Sequence, residues 1–446
     1  MPLVEILVIS DVRRRQSGAP TCREAGRAGR GDLLALTNLS RPMSFRPPKG
    51  TDDIGAPESH VWRDVLREWE TWADRFGYPL VMTPIFEATE LFERGVGDDT
   101  EVVTKQMYTF TDRGGRSVTL RPEGTAGVVR AFLDSGATGA WKGAYSGPMF
   151  RYERPQAGRR RQFWQVGVEY LDVKGPAADA EVIELGFRFL TGVEVPGLEV
   201  VVNSLGDEVC RPGYVTILRN FLEENRDRLC DDSVSLIGVN PLRVLDCKIC
   251  APVLNDAPAM KDHLCEPCAA HYDEVMTALK RLEIPYREDR RLVRGLDYYT
   301  RTAFEYLATD LEAAQNAVGG GGRYDGLAEA IGGRRAPGVG FALGVDRIIL
   351  ASVLEPDPQV DVYLVSETGP GDALVAASTL RSRGLRVDLD TEGRSVKAQF
   401  RTAGRSQARA LVVLPTEGGD VDVRIDEERA QMPLQDVAAW LESRLP

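Results

Sequence analysis

Five arginines in apolar, strand-like or glycine-rich stretches are the first residues of this sequence that could do chemistry. They are Arg151, Arg159, Arg294, Arg323 and Arg347. Burying a guanidinium without a partner is costly, and its planar fork of donors suits phosphate oxygens. Collected on one sheet, these arginines would form a polyphosphate site. The sequence has no Walker A motif, so this site would not be a P-loop. The glycines of GGGGR (319–323), taken alone, are compatible with a flexible turn.

A second group of side chains could hold a small cationic amine. Glu123, Gln165 and Glu169 offer hydrogen-bond acceptors, while Tyr298 and Tyr299 offer hydroxyls and rings. A ligand that carries an ammonium and an imidazole would suit this set. None of the three histidines adjoins these residues in the sequence, so general-base catalysis by histidine is not expected.

The stretch Gly147–Tyr170 is expected to position several of these groups. In its second half, Gln165, Gly167 and Glu169 alternate with apolar residues, which predicts a β-strand with one packed face. The first half also predicts a strand, so the two would form a hairpin with a long basic turn. The alternative is a solvated basic hairpin without a ligand.

A strand, a turn and a helix are predicted in SVTLRPEGTAGVVRAFL (117–133), with Glu123 and Thr125 at the turn. Side chains at this position can point into a cleft with their backbone fixed on both sides. Thr125 could instead cap the helix, and both roles are compatible.

Four cysteines form two CxxC pairs, Cys247/Cys250 and Cys265/Cys268, with fourteen residues between the pairs. This spacing predicts one structural zinc site, with His263 and His271 as alternative ligands. The other interpretation is four thiols packed in a small inserted domain. The remaining cysteines, Cys22, Cys210 and Cys230, are interpreted as isolated.

A basic helix face is predicted near the C-terminus. Arg394, Lys397, Arg401 and Arg405 recur at three- and four-residue spacing, without an acidic residue between 395 and 410. Residues at this spacing share one side of a helix, which predicts a contact to an RNA backbone. A solvated charged face is the alternative.

Composition limits the class of protein. A chain of 446 residues, 43% of them hydrophobic and 27% charged, predicts two or three globular domains. No apolar run reaches the roughly eighteen residues that a membrane span needs, so no membrane partner is expected. Because the net charge is −12, nucleic acid could bind only through local basic patches. Seven cysteines, an odd number, argue against a disulfide framework and predict a cytoplasmic location.

Changes in composition and in predicted secondary structure along the chain predict the domain organisation. Residues 1–42 are arginine-rich and weakly periodic. We interpret them either as a disordered extension or as the result of a mis-assigned start of the protein. The alternative is a targeting segment. Residues 207–285 are predicted to form an inserted helical domain. Residues 360–446 alternate strand and helix, which predicts an α/β domain with a largely parallel sheet.

Several motifs resemble those of the histidyl-tRNA synthetase family of class II aminoacyl-tRNA synthetases. The resemblance runs from about Phe45 to the C-terminus. KGTDDIGAPE and the helix after it resemble motif 1, and GPMFRYERPQAGRRRQFWQVGVE resembles motif 2. TLRPEGTA resembles the histidine-binding turn, LVRGLDYY the signature peptide of this family, and GGGGRYDGL with GVGFALGVDRI motif 3.

The resemblance implies the fold and the partners. The fold class would be α+β, with an antiparallel catalytic sheet formed by residues 43–206 and 286–355, a helical insertion, and a C-terminal anticodon-binding domain. The substrates would be ATP with Mg²⁺, L-histidine and tRNA(His), and the chain would form a homodimer. The family lends no support to zinc.

The resemblance also implies the ATP-binding residues. Arg151 would contact the α-phosphate and the histidine carboxylate, and Glu153 would bind the adenine. Arg159 and Arg347 would hold the terminal phosphates of a bent ATP. Arg294 would lie on the α-phosphate, supplying positive charge in place of a metal ion.

The remaining implied roles concern histidine. Glu123, Thr125, Gln165 and Glu169 would bind its ammonium group and the surroundings of that group, and Tyr298 and Tyr299 would line the imidazole pocket. Arg151 and Arg294 would be the catalytic residues. The histidine carboxylate is itself a nucleophile, so catalysis would require alignment and charge stabilisation rather than a protein base.

Two other classes of protein remain possible. The regulatory subunit of ATP phosphoribosyltransferase resembles the synthetase and would bind histidine as an effector. It typically lacks the anticodon-binding domain and much of the signature peptide, whereas this sequence has both. An RNA-binding scaffold without catalysis would leave Glu123, Gln165 and Glu169 unexplained.

Overall fold

The computed structural model describes residues 45–97, 100, 102–295, 298–309, 316–355, 360–416 and 418–444. The extension that was predicted for residues 1–42 lies outside them. The chain divides into two units, residues 1–47 and 48–446, and the second carries all the elements below.

The second unit contains fourteen α-helices and fifteen strands among its described residues. The helices are α1 (Glu58–Arg75), α2 (Thr89–Val96), α3 (Thr125–Asp134), α4 (Pro176–Gly192), α5 (Arg211–Glu224), α6 (Asp231–Leu236), α7 (Pro241–Val244), α8 (Ala251–Leu254), α9 (Glu266–Arg281), α10 (Leu327–Ala330), α11 (Val345–Ala351), α12 (Pro370–Arg381), α13 (Val396–Ser406) and α14 (Val437–Glu442). The strands are β1 (Phe86–Ala88), β2 (Tyr108–Thr111), β3 (Ser117–Leu120), β4 (Trp141–Phe150), β5 (Gln162–Leu171), β6 (Leu198–Ser204), β7 (Tyr286–Glu288), β8 (Thr300–Ala308), β9 (Ala317–Arg323), β10 (Gly338–Gly344), β11 (Val362–Ser366), β12 (Val387–Leu389), β13 (Ala410–Leu414), β14 (Val421–Ile425) and β15 (Glu428–Met432).

A seven-stranded sheet with the order β4-β5-β10-β9-β8-β6-β7 forms the centre of this unit. All its neighbouring strands are antiparallel except β6 and β7. Both the predicted antiparallel sheet and the predicted hairpin, which is β4 and β5, are therefore confirmed. The hairpin differs from prediction in one respect: Gln165 and Glu169 are buried as well as Val166 and Val168, because both faces of β5 are covered.

Helices α1 and α4 belong to the same hydrophobic core as this sheet. Their contact follows from the apolar spacing of α1, where Trp62, Val65, Trp69 and Ala73 lie on one side of the helix and are buried. The Trp69 ring packs edge-on against Phe189 at 5.2 Å and Phe341 at 6.0 Å, measured between ring centroids. The sheet that carries the site is thus held by aromatic packing on this face.

The glycine-rich segment is a strand rather than a flexible turn. It forms β9, which pairs with β8 on one side and β10 on the other. A Cβ atom added at Gly321 would lie 2.0 Å from the carbonyl oxygen of Gly340. Glycine therefore permits close contact between these neighbouring strands.

Between β6 and β7 the chain forms helices α5 to α9, which agrees with the prediction of a helical insertion. Part of this segment has its own apolar core, which includes Tyr214, Leu218 and Leu254. The exact bounds of the insertion, 207–285, stay a prediction.

The C-terminal segment follows the predicted order of strands and helices, but its sheet is mixed. The order is β12-β11-β13-β14-β15. The three strands β11, β12 and β13 are parallel, while β14 and β15 add as an antiparallel extension. The prediction of a largely parallel sheet was wrong for these two strands, because β13, β14 and β15 follow one another through short turns instead of helical crossovers. No helix in the described part of the chain has the length and apolar character that a membrane span requires.

Candidate active site

The site begins with the hairpin of β4 and β5, whose basic loop is tied to the chain that precedes α1. The backbone N–H of Arg161 donates to the carbonyl of Gly50 at 2.7 Å. Arg160 pairs with Asp52 at 3.1 Å and with Asp346, at the start of α11, at 3.2 Å. The loop is therefore held by the segment before α1 and by the first turn of α11.

Glu123 ends the turn before α3 and caps that helix. Its carboxylate accepts the backbone N–H groups of Thr125 at 2.7 Å and Ala126 at 2.9 Å. Burial raises the pKa of Glu123, although these N–H groups and the charge of Arg151 oppose the shift. The alternative interpretation of Thr125 as the helix cap is wrong, since the carboxylate of Glu123 takes that role. The hydroxyl of Thr125 instead donates to Glu169 Oε1 at 2.6 Å.

Glu169 lies beneath this turn and is completely buried. It accepts hydrogen bonds from the hydroxyls of Thr125 and Tyr324. Burial raises the pKa of its carboxyl to about 8, although these two hydroxyls lower it. A bound cation would favour the ionised form of this carboxyl, so Glu169 is suited to support an ammonium or imidazolium group.

Gln165 and two tyrosines complete the acceptor-rich end of the cleft. Gln165 is buried, and no described residue donates a hydrogen bond to its Oε1. A buried acceptor without a partner costs about 1–3 kcal/mol, which a ligand N–H group would recover. The rings of Tyr298 and Tyr299 lie 4.6 Å apart and line the same cleft. This end can therefore accept hydrogen bonds from a small cationic ligand with a ring.

The other end of the cleft is formed by three arginines, which are Arg151, Arg159 and Arg347. Arg347 in α11 donates to the carbonyls of Ala317 at 2.7 Å and Gly158 at 3.2 Å. Burial lowers the pKa of Arg347, and the nearby charges of Arg159 and Arg151 lower it further. Like charges that destabilise one another in this way favour a bound polyanion.

Arg151 connects the two ends of the cleft. Its Nε donates to the carbonyl of Pro122 at 2.8 Å, and no carboxylate pairs with it within the described ranges. Its charge lowers the pKa of Glu123 at one end and the pKa of Arg347 at the other. Arg151 therefore lies where an amino acid and a phosphate chain would meet.

Arg294 approaches the same cleft over β9. It forms an ion pair with Glu305 on β8, and its buried Nε has no hydrogen-bond partner in the part of the chain that is described. A Cβ atom on Gly320 would lie 3.0 Å from Arg294 Nη1, so the glycine leaves room for the guanidinium. Arg294 thus keeps a donor for a ligand.

Ten of the eleven predicted ATP- and histidine-binding residues line this one cleft, and Glu169 lies directly behind it. The ten are Glu123, Thr125, Arg151, Glu153, Arg159, Gln165, Arg294, Tyr298, Tyr299 and Arg347. Glu153 is also close to Arg159, with 3.9 Å between its Oε2 and Nη1 of the arginine. The structure brings these residues together, while their individual roles stay predictions.

Arg323 is not part of the phosphate-binding end. It is completely buried, pairs with Asp179 and also contacts Asp325 at 3.2 Å. His271 Nε2 lies 3.1 Å from the same Asp179. The interpretation of Arg323 as a phosphate ligand and of His271 as an alternative zinc ligand was therefore wrong, because each is paired with the same buried carboxylate.

The residues that were missed in the sequence include two that hold side chains of the site in place. Tyr324 supports Glu169, and Glu305 pairs with Arg294. Tyr324 follows the glycine strand directly, and Glu305 is a charged residue inside an otherwise apolar strand. Both features can be seen in the sequence, but Tyr324 and Glu305 are separated in sequence from the residues that they contact. Only the fold therefore shows these contacts.

The predicted single zinc site is wrong in its ligand set. The two CxxC pairs lie in separate clusters of potential ligands, Cys230/Cys247/Cys250 and Asp207/Cys210/Cys265/Cys268. Cys210 and Cys230, interpreted as isolated, each join one pair. The pairs separate because Cys265 directly precedes α9 and Cys268 is in its first turn, whereas Cys247 and Cys250 lie near the start of α8.

The predicted basic face is in part a helix face. Lys397, Arg401 and Arg405 lie on α13 at four-residue spacing and are exposed. Arg394 precedes the helix and forms an ion pair with Asp390, because the turn before α13 returns it to this acid. Three of the four predicted RNA contacts therefore share one exposed surface.

Comparison with known proteins places the chain in a family. The histidyl-tRNA synthetase family model matches residues 50–210 and 246–348. The histidine–tRNA ligase of Halothermothrix orenii is 46% identical over 384 residues, which cover 83% of this chain and 91% of that protein.

Solved structures give the same result. Apo histidyl-tRNA synthetase from Staphylococcus aureus superposes with a TM-score of 0.72 at 34% identity, covering 90% of this chain and all of that one. An ATP phosphoribosyltransferase regulatory subunit/histidyl-tRNA synthetase from Bacillus halodurans shares the fold, with a TM-score of 0.61 at 20% identity over 81% of this chain and 97% of that one. From the family match, the high identity and the extensive coverage, this chain belongs to the histidyl-tRNA synthetase family.

Proposed function

We propose that this chain attaches L-histidine to tRNA(His) in an ATP-dependent reaction through a histidyl-adenylate intermediate, releasing AMP and pyrophosphate. The observation that carries this proposal is a single cleft with an acceptor-rich end and a cationic end. Arg151 influences the charged groups of both ends. A ligand pair of cationic amino acid and polyphosphate matches this division of charge.

In the first step the histidine carboxylate attacks the α-phosphorus of ATP, and pyrophosphate leaves. The acceptors Glu123 and Gln165 orient the ammonium and imidazole groups, while Arg159 and Arg347 hold the terminal phosphates. Arg151 and Arg294 stabilise the negative charge at the α-phosphate as the bond forms. Glu153 binds the adenine.

The reaction needs no protein base, because the amino-acid carboxylate is already a nucleophile. Mg²⁺ arrives as part of the ATP substrate. The reaction gives zinc no chemical role, so a zinc ion in the insertion would be structural. In the second step the tRNA terminus takes the histidyl group from the adenylate, and AMP leaves; we place this reaction in the cytoplasm.

Histidine-dependent ATP–pyrophosphate exchange tests the first step. Wild-type protein is expected to be active, and Arg294→Ala should lower the exchange rate by roughly 10²–10³, a typical effect of losing one preorganised charge contact. Arg287→Ala is the matched control, because Arg287 forms exposed ion pairs on β7 and should leave the rate near wild type.

Histidine binding without exchange in the wild-type protein would favour the regulatory-subunit interpretation instead. Equilibrium dialysis with labelled histidine makes this distinction. Loss of both binding and exchange in a folded protein would exclude both interpretations.

We also propose a homodimer. The segment between α1 and α2 carries exposed apolar side chains, with Leu80 63%, Met82 86% and Phe86 56% exposed. Such a patch would be covered by a second copy of the chain. Sedimentation equilibrium should give twice the chain mass, and a purely monomeric mass at micromolar concentration would contradict the proposal.

A further inference from the structure

The start of the insertion carries a four-residue cluster that the proposed reaction does not use. Asp207 follows β6, Cys210 directly precedes α5, and Cys265 and Cys268 lie at the start of α9. All four potential ligand atoms lie within 4.8 Å of one another. We propose that Asp207, Cys210, Cys265 and Cys268 bind one structural zinc ion that holds the insertion against the catalytic sheet.

The distances within this cluster approach those of a tetrahedral zinc site. Asp207 Oδ1 lies 3.4 Å from Cys210 Sγ and 3.8 Å from Cys265 Sγ. With Zn–S bonds of about 2.3 Å and Zn–O bonds of about 2.1 Å, a tetrahedron has S···O edges of about 3.6 Å and S···S edges of about 3.8 Å. Small side-chain movements would therefore complete the coordination.

Helix termini surround the thiols. Cys210 and Cys265 are the residues just before α5 and α9, and Cys268 is in the first turn of α9. The backbone N–H of Asp207 donates to Cys210 Sγ at 3.4 Å. Zinc binding itself releases the proton of each coordinating thiol, so the arrangement of the sulfur atoms carries the proposal.

Nearby hydrogen-bond donors fit the charge of such a site. Zinc with three thiolates and one carboxylate carries a net charge of −2, and Arg301 Nη2 lies 3.3 Å from Asp207 Oδ2. The backbone N–H of Val209 donates to Asp207 Oδ1 at 3.0 Å. Partners of this kind orient ligands and partly balance their charge.

The cluster is connected to the proposed histidine pocket. Arg301 N donates to the carbonyl of Gly206 at 2.8 Å, and Leu205 N donates to the carbonyl of Arg301 at 2.7 Å. Arg211, the first residue of α5, donates to the carbonyl of Tyr299 at 2.6 Å. Zinc would thereby fix the backbone on which Tyr299 enters the cleft.

The second cysteine cluster supplies a control. Cys230, Cys247 and Cys250 provide three potential ligands among the described residues, with Cys230 Sγ and Cys247 Sγ 3.6 Å apart. A closed structural zinc site has four protein ligands. Cys247→Ser therefore removes a thiol from the same insertion without touching the four-ligand site.

Metal analysis of the full chain, expressed in zinc-containing medium and purified without chelators, tests the proposal. Wild type should contain at least one equivalent of zinc per chain, Cys265→Ser should contain about one equivalent less than wild type, and Cys247→Ser should keep the equivalent that Cys265→Ser loses. After cobalt substitution, the wild type should show the visible absorption of tetrahedral thiolate-bound Co²⁺, and Cys265→Ser should lose that contribution.

Asp207→Cys is a second variant that keeps the proposal testable if Cys265→Ser does not fold. It replaces one ligand by another, so it should keep the zinc and strengthen the sulfur-to-cobalt charge-transfer band. In Cys265→Ser the KM for histidine should rise more than the KM for ATP, because Tyr299 belongs to the histidine end. Zinc-free wild type without a cobalt spectrum, or Cys265→Ser with undiminished zinc, would overturn the proposal. These metal readouts do not depend on whether the chain has synthetase activity.

Discussion

At the scale of single residues, Gln165 and Glu169 show how one strand serves two purposes. Both residues occupy positions of the same parity along β5. Gln165 Oε1 has no hydrogen-bond partner among the described residues, whereas Glu169 accepts hydrogen bonds from two hydroxyls. The first is open to a ligand N–H group, and the second supports the pocket from behind. Residue type alone does not separate these situations, since both side chains are polar and both are buried.

The buried carboxyl of Glu169 predicts a specific pH dependence of stability. Its pKa is raised by burial to about 8 from 4.5, so between these values the native state keeps a proton that the unfolded chain has released. Raising the pH through this window therefore lowers the free energy of unfolding, by up to roughly 1.4 kcal/mol per pH unit. Glu169→Gln cannot titrate, so its stability relative to wild type should increase from pH 5 to pH 8.

Urea unfolding midpoints of both proteins at several pH values measure this difference, and the other titrating groups cancel in the comparison. Loss of hydrogen bonds in Glu169→Gln adds an offset that does not depend on pH. A difference that stays constant from pH 5 to pH 8 would contradict a raised pKa at Glu169.

At the scale of elements, the glycine-rich strand β9 determines how closely the central strands approach. An added Cβ at Gly321 would lie 2.0 Å from the carbonyl oxygen of Gly340 and 2.7 Å from the Cα of Phe341. Both are backbone atoms of β10, which cannot move without disturbing the sheet. The same strand passes beneath Arg294 at Gly320, so sheet packing and site geometry depend on one element.

Gly321→Ala should therefore destabilise the protein by at least the 1–3 kcal/mol that is typical of overpacking. Urea unfolding followed by tryptophan fluorescence measures the change. Gly213→Ala is the matched control, because an added Cβ on this glycine of α5 meets no atom within 4 Å. It should be neutral or stabilise by about 0.4–1 kcal/mol. Equal stability of the two variants would argue against the close contact of β9 and β10.

At the scale of the whole molecule, the proposed reaction divides between the cleft and the C-terminal segment. The net charge of −12 makes a local basic surface necessary for tRNA. Lys397, Arg401 and Arg405 on α13 provide one. Adenylate formation requires only the cleft, whereas histidine transfer also requires bound tRNA, so the two steps can be tested separately.

Arg401→Glu should weaken tRNA binding and reduce the slope of log K against log salt by about one, while ATP–pyrophosphate exchange stays near wild type. Filter binding at several salt concentrations measures the affinity. Arg383→Glu makes the same charge change on an exposed residue outside α13 and should have a smaller effect. Unchanged tRNA affinity in Arg401→Glu would remove this surface from the proposal.

The sequence by itself determined the type of fold and ten of the residues that line the cleft. Alternation in β5, the spacing of α1 and the motif residues are local properties, because strand and helix periodicity depend on neighbouring residues. The resemblance then connected segments as distant as Arg151 and Arg294. That these residues share one cleft could therefore be predicted without any measured distance between them.

Only the tertiary structure decided the partners of charged and sulfur-containing groups. Arg323 and Arg294 both lie near the glycine strand, yet Arg323 pairs with buried Asp179 whereas Arg294 reaches the cleft. The CxxC pairs predicted one site, but folding of the insertion joins each pair to another cysteine, and one pair also to Asp207. Such pairings depend on how separate elements pack, and periodicity within each element does not specify that packing.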